Sequence, residues 1–175
     1  MPVDLLDWLE PAAPDPPPPR YTADPFPRYR FIPGHTPHPR RDRRGHAWGT
    51  PEPRVQAIDP GAFGACALYL RGVDLFNFAY WWECHEAFEA LWRGSRGGEP
   101  SAELLQALIQ LAAAEIKWFS ATPAAAEKLT ARALGRLAAV PSPLLGLDVV
   151  ALAREAEARR AGAQTVAPLQ LRLAL

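Results

Sequence analysis

Cysteine is scarce in this chain: its 175 residues hold two, Cys66 and Cys84. No spaced pair forms a zinc knuckle or a redox motif. That excludes a disulfide framework and predicts two buried thiols in a reducing compartment, hence a cytoplasmic location. Net charge is also absent. Nineteen basic residues balance nineteen acidic ones and the pI is near 6.9, which removes any global attraction to nucleic acid or membrane. No apolar run reaches the length of a membrane span. The stretch Met1 to Glu10 carries Asp4, Asp7 and Glu10 and lacks a basic start followed by a long apolar run, so no secretory signal is expected. Strand-period runs strong enough to build a sheet are missing too.

What the chain has in excess is proline, and it is unevenly placed. Fifteen of the twenty prolines lie in residues 1–60. Proline removes an amide donor and fixes the backbone, so this third of the chain is neither a regular helix nor a central strand. Residues 1–20 read as a flexible proline-rich tail, with one or two helical turns in Val3 to Leu9. Residues 21–58 carry Tyr21, Phe26, Tyr29, Phe31 and Trp48, more aromatics than a free linker holds, and are expected to pack on the rest as an extended arm. Eight arginines against three acids lie between Arg20 and Arg54. The group Arg40, Arg41, Arg43 and Arg44 reads as a solvated charged turn, since no nucleic-acid motif accompanies it.

From Asp59 the punctuation becomes helical, and residues 59–165 form the helical domain. Asp59-Pro60 supplies a cap and a first-turn proline for a helix over 60–71 that stops at Gly72. A short continuation through Asn77 turns near Phe78-Ala79. Further helices are predicted over 80–93, 101–119, 122–139 and 148–161, broken by glycine and proline between them. The last residues, 166–175, alternate partly and suggest an extended end. The fold class is therefore all-α: about five antiparallel helices in a bundle or helical-hairpin stack, with the proline-rich arm over it.

The helix over 80–93 is the one with unusual chemistry. It reads Tyr80-Trp81-Trp82-Glu83-Cys84-His85-Glu86-Ala87-Phe88-Glu89-Ala90-Leu91-Trp92. At about 100° per residue, Tyr80, Trp81, Cys84, Phe88, Leu91 and Trp92 share an apolar arc. His85, Glu86, Glu89 and Trp82 fall on the adjoining arc, and Glu83 falls apart from them near Ala87 and Ala90. His85 and Glu89 are one turn apart, and Glu86 neighbours Glu89, so an imidazole and two carboxylates can converge between Trp82 and Trp92. Glu115 interrupts the apolar stripe of the next helix and needs a donor, a cation or a proton. If the two helices pack antiparallel, Glu115 faces His85 or Glu86. His38 and His46 of the arm are candidate lids. Imidazole and carboxylate together suit a divalent transition metal, with His85, Glu86, Glu89, His38 and His46 as candidate ligands.

Residues 72–92, with Leu75-Phe76-Asn77 and then Trp82, Glu83, His85, Glu86, Glu89 and Trp92, resemble the domain-of-unknown-function family 309. Its members carry a Leu-Phe-Asn turn followed by a Trp-Glu-x-His-Glu-x-x-Glu-x-x-Trp helix. Leu105 to Gln110 resembles the family's next helix, and Pro33-Gly34 and Pro37-His38-Pro39 resemble a subset of its members. The resemblance runs over about residues 26–140. It implies a small all-α fold and no activity. Ala79 departs from the pattern, because members often show glycine there.

Three readings of the cluster stand at this point. It is a structural hydrogen-bond network, a pocket for a metal ion or small polar ligand, or a catalytic group with His85 or Glu86 as general base. His85-Glu86-x-x-Glu89 is not the two-histidine zinc protease motif, and the paired Glu-x-x-His pattern of di-iron bundles is missing. Helical hairpins also serve as protein-interaction modules. The aromatic excess of this helix suits a core or a homodimer interface.

Overall fold

The structure, a computed structural model, describes residues 16–120, 122–162 and 168–175. Most of the predicted tail, including Val3 to Leu9, lies outside the described residues, as do 166 and 167 of the predicted extended end. Among the described residues five α-helices follow one another: α1 (Ala67–Asn77), α2 (Trp81–Gly94), α3 (Pro100–Phe119), α4 (Pro123–Leu137) and α5 (Val149–Ala161), with a short 3-10 helix at Pro60–Ala65 before them. Among the described residues there are no strands, only isolated bridges of Leu147 with Leu144 and Leu173. The all-α class read from the sequence is the observed one.

Each helix packs on its sequence neighbour, the outcome short connections favour. α3 lies between α2 and α4 and contributes Leu104, Leu105, Leu108 and Leu111 to the core, each fully buried. Tyr69, Phe76, Phe88 and Leu91 meet them from α1 and α2. Trp81 and Phe88 are therefore used inside the single chain, while Trp82 and Trp92 stay partly exposed.

The predicted helix over 60–71 is corrected in two ways. Cys66 is extended at φ −83°, ψ 91°, which separates the 3-10 helix from α1. Gly72 then lies inside α1 rather than ending it. A Cβ there would stand 2.6 Å from Phe88 Cε1, so the glycine is a packing choice that lets the Phe88 ring lie against α1. The end of α1 comes later. Tyr80 N–H donates to Leu75 O and Ala79 N–H to Phe76 O, the paired bonds of a Schellman cap. Ala79 takes the left-handed position of that cap, at φ 65°. This is the position where the resembling family often carries glycine, and the reason is now visible.

The arm is held by polar side chains buried on the helices. Asp74 is fully buried within α1 and accepts from Tyr21 N, Thr22 N, Thr22 Oγ1 and Arg20 Nε, at 2.7–3.2 Å. Phe26 then stacks on Tyr80, with ring centroids 5.0 Å apart. The Arg30 guanidinium lies 4.5 Å from the Phe119 ring centroid, and burial lowers its pKa. The end of the chain is held in the same manner. Asn77 donates to Leu171 O and accepts from Leu171 N, and Leu173 N donates to Tyr21 Oη. Arm and C-terminal segment thus meet over α1.

Candidate functional site

Helical spacing does bring His85, Glu86 and Glu89 together. One nitrogen or carboxylate oxygen from each lies within 4.8 Å of the others, and all three side chains are half-buried. His85 Nδ1 is buried, has no hydrogen-bond partner, and stands 3.8 Å from Glu89 Oε2. Glu89 Oε1 accepts from Arg93 Nη2 at 2.8 Å, one turn further on. Glu86 Oε2 accepts from Arg40 Nε at 3.0 Å, and Arg40 Nη1 continues to Thr50 O. Each carboxylate thus keeps one oxygen outside its arginine pair.

Beside the two glutamates is a cleft of about 90 Å³, walled by Glu52, Pro53 and Val55 of the arm and by Glu86, Glu89, Ala90 and Arg93 of α2. The arm reaches this place because α2 ends in glycine. A Cβ at Gly94 would stand 2.1 Å from the Gln56 carbonyl carbon, so only glycine admits the strand of arm that crosses there. Gln56 N–H then donates to Ala90 O.

The other predicted members are elsewhere. Glu115 does not face His85 or Glu86. It is 1% exposed and forms a two-pronged pair with Arg159 of α5, Nε to Oε1 at 3.2 Å and Nη2 to Oε2 at 2.9 Å, and it also accepts from Leu169 N. The carboxylate on the apolar stripe found its donor on α5, which also borders the helical stack, rather than on α2. Trp82 sits under the arm, in edge contact with Phe31 and His38, and Trp92 packs on the core. Neither tryptophan is among the residues that line the cleft beside the cluster.

His38 and His46 are not lids on the cluster. His38 Nδ1 accepts from the backbone N–H groups of Arg40 and Arg41. His46 Nε2 lies 2.8 Å from Glu83 Oε1, with 10% and 6% of the two side chains exposed. Glu83 also accepts from Phe31 N, and its Oε2 is buried without a partner. Tyr29 closes this group. Its hydroxyl donates to Pro37 O and accepts from His46 N, and burial raises its pKa while the His46 N–H pulls it back. The sequence signal for Glu83 was its arc. It shares a face with Ala87 and Ala90, both buried, and small residues are where another chain segment can lie close.

Residues 69–129, from α1 into α4, match the family model described as Domain of unknown function (DUF309). The chain is similar to that family over this stretch, which includes the whole of α2. No curated protein matches the chain. Among the described residues no helix is long and apolar enough to cross a membrane.

Proposed function

We propose that this helical protein binds a divalent transition-metal ion through His85, Glu86 and Glu89. One observation carries the reading: one donor atom each of His85, Glu86 and Glu89 lies within 4.8 Å of the others, and His85 Nδ1 has no hydrogen-bond partner. Two donors of one tetrahedral zinc ion, each about 2.0–2.1 Å from the metal, stand about 3.4 Å apart. Side-chain rotations that draw the donors together by up to about 1.4 Å therefore close the set around such an ion. Competition comes from Arg40 and Arg93, whose half-exposed pairs are each worth only about 0.2–1 kcal/mol. Three protein ligands leave a position for water or a small ligand. The two free thiols support the cytosol as the setting.

Titration calorimetry with zinc and manganese chlorides tests the site. The full chain takes up one ion, and His85→Ala and Glu89→Gln lose the binding heat while keeping their helical circular dichroism. Binding heat unchanged in His85→Ala counts against the site.

A second reading draws on the Arg40–Glu86 pair, which ties the arm to α2. In it the cluster is a hydrogen-bond network within a helical-hairpin interaction module. Under that reading Glu86→Gln loosens the arm toward protease, and no ion is taken up.

A further inference from the structure

An open cleft of about 580 Å³ lies between the arm and α1, with no lining residue in common with the His85 cluster. That volume is within the range of small-molecule sites, about 300–1,000 Å³. Its lining includes Arg28, Arg71, His46 and Phe26 and contains no acid. Two arginines and a histidine line this space with no acid among the lining residues, and although Asp24 and Asp74 act on Arg71 from outside it, the basic lining favours an anion.

The basic groups are held in place rather than left to wander. Arg71 donates from Nη1 to Asp24 O at 2.9 Å and from Nη2 to Pro25 O at 2.5 Å, and its guanidinium lies 5.2 Å from the Phe26 ring centroid. Arg28 donates from Nη2 to Arg44 O. Each guanidinium has five N–H donors, so both keep donors after these bonds. His46 is oriented from behind by Glu83 Oε1 at 2.8 Å. A carboxylate oxygen accepts, so Nε2 carries the hydrogen, and in the neutral imidazole Nδ1 keeps its lone pair.

We infer that this cleft is a binding site for a small oxyanion that also carries an O–H group, such as a phosphate monoanion, a phosphate ester or a hydroxy acid. Arg28 and Arg71 take the anionic oxygens, and His46 Nδ1 accepts the ligand's hydroxyl hydrogen. Two kinds of donor set define the ligand. Guanidiniums alone accept any oxyanion, whereas an imidazole lone pair selects one that still has a proton to give. Glu83, buried behind His46, is a positioning residue. The site is independent of the His85 cluster and stands or falls without it.

The test is a titration of the ¹⁵N-labelled full chain with inorganic phosphate at about pH 8, above the ordinary imidazole range, read on the Arg Nε–H and imidazole resonances, with sulfate in parallel. Saturable shifts are expected at Arg28, Arg71 and His46, with phosphate binding several-fold more tightly than sulfate, which has no hydrogen to donate. Arg28→Gln weakens phosphate about tenfold or more, as expected for a lost charged hydrogen bond. Arg71→Gln does the same, and Arg28, being exposed, decides the matter if Arg71→Gln fails to fold. No saturable shift at phosphate on the order of 10 mM, above the usual micromolar-to-millimolar range, overturns the site. So does equal binding of sulfate and phosphate, or binding unchanged in Arg28→Gln.

Discussion

Single residues explain much of what holds this molecule. Ala79 occupies a left-handed position at φ 65°. An L-residue with a Cβ is strained there and glycine is not. Ala79→Gly is therefore expected to raise stability by up to about 1 kcal/mol, read as a higher denaturation midpoint at unchanged slope. Gly72 is the opposite case. Gly72→Ala places a methyl 2.6 Å from the Phe88 ring and is expected to cost about 1–3 kcal/mol. Glu115 and Arg159 form a buried ion pair between α3 and α5. Glu115→Ala leaves the guanidinium, 8% exposed as a residue, without its carboxylate, and chemical denaturation should show a loss of about 3–5 kcal/mol. Cys84 is fully buried and burial pushes its thiol pKa up, so a thiol reagent should modify Cys66 and leave Cys84 untouched until the protein unfolds. At this scale the sequence showed that Glu115 needed a partner. It did not show which one, because Arg159 lies forty-four positions away and only the packing of α5 brings it in.

Elements were more legible than their contacts. The helices predicted over 101–119, 122–139 and 148–161 stand within two residues of α3, α4 and α5, whose starts carry Pro100, Pro123 and the Asp148 cap. Gly72 misled because a glycine inside a helix can serve a neighbouring ring, and that ring is sixteen positions away in α2. The arc containing His85, Glu86 and Glu89 follows from 3.6-residue periodicity alone, so it was readable. Glu83 was not, since its partners His46 and Phe31 come from a segment without periodicity. The arm itself is an element held at two buried carboxylates, Asp74 and Glu83. Asp74→Asn removes charge from the acceptor of four bonds and should free the first part of the arm. Limited proteolysis should then cut near Arg20 and Arg28 many times faster than in the parent chain, with the helices intact. Equal cutting rates would mean that the aromatic stacking of Phe26 and Tyr80 is enough to hold it.

At the scale of the whole molecule, an irregular chain is wrapped over a helical stack, and α1 and α2 both hold it. One face of α2 builds the core through Trp81, Cys84, Phe88 and Leu91. A second binds the arm through Trp82 and Glu83. A third gathers His85, Glu86 and Glu89 beside a small cleft. This division accounts for a helix that mixes tryptophan with glutamate. The most direct measurement is elemental mass spectrometry of untagged protein, with His85→Ala purified alongside. The account predicts close to one transition-metal ion per chain in the parent and little in the variant. Parent protein that stays metal-free even after incubation with zinc and manganese and removal of excess ion would contradict it.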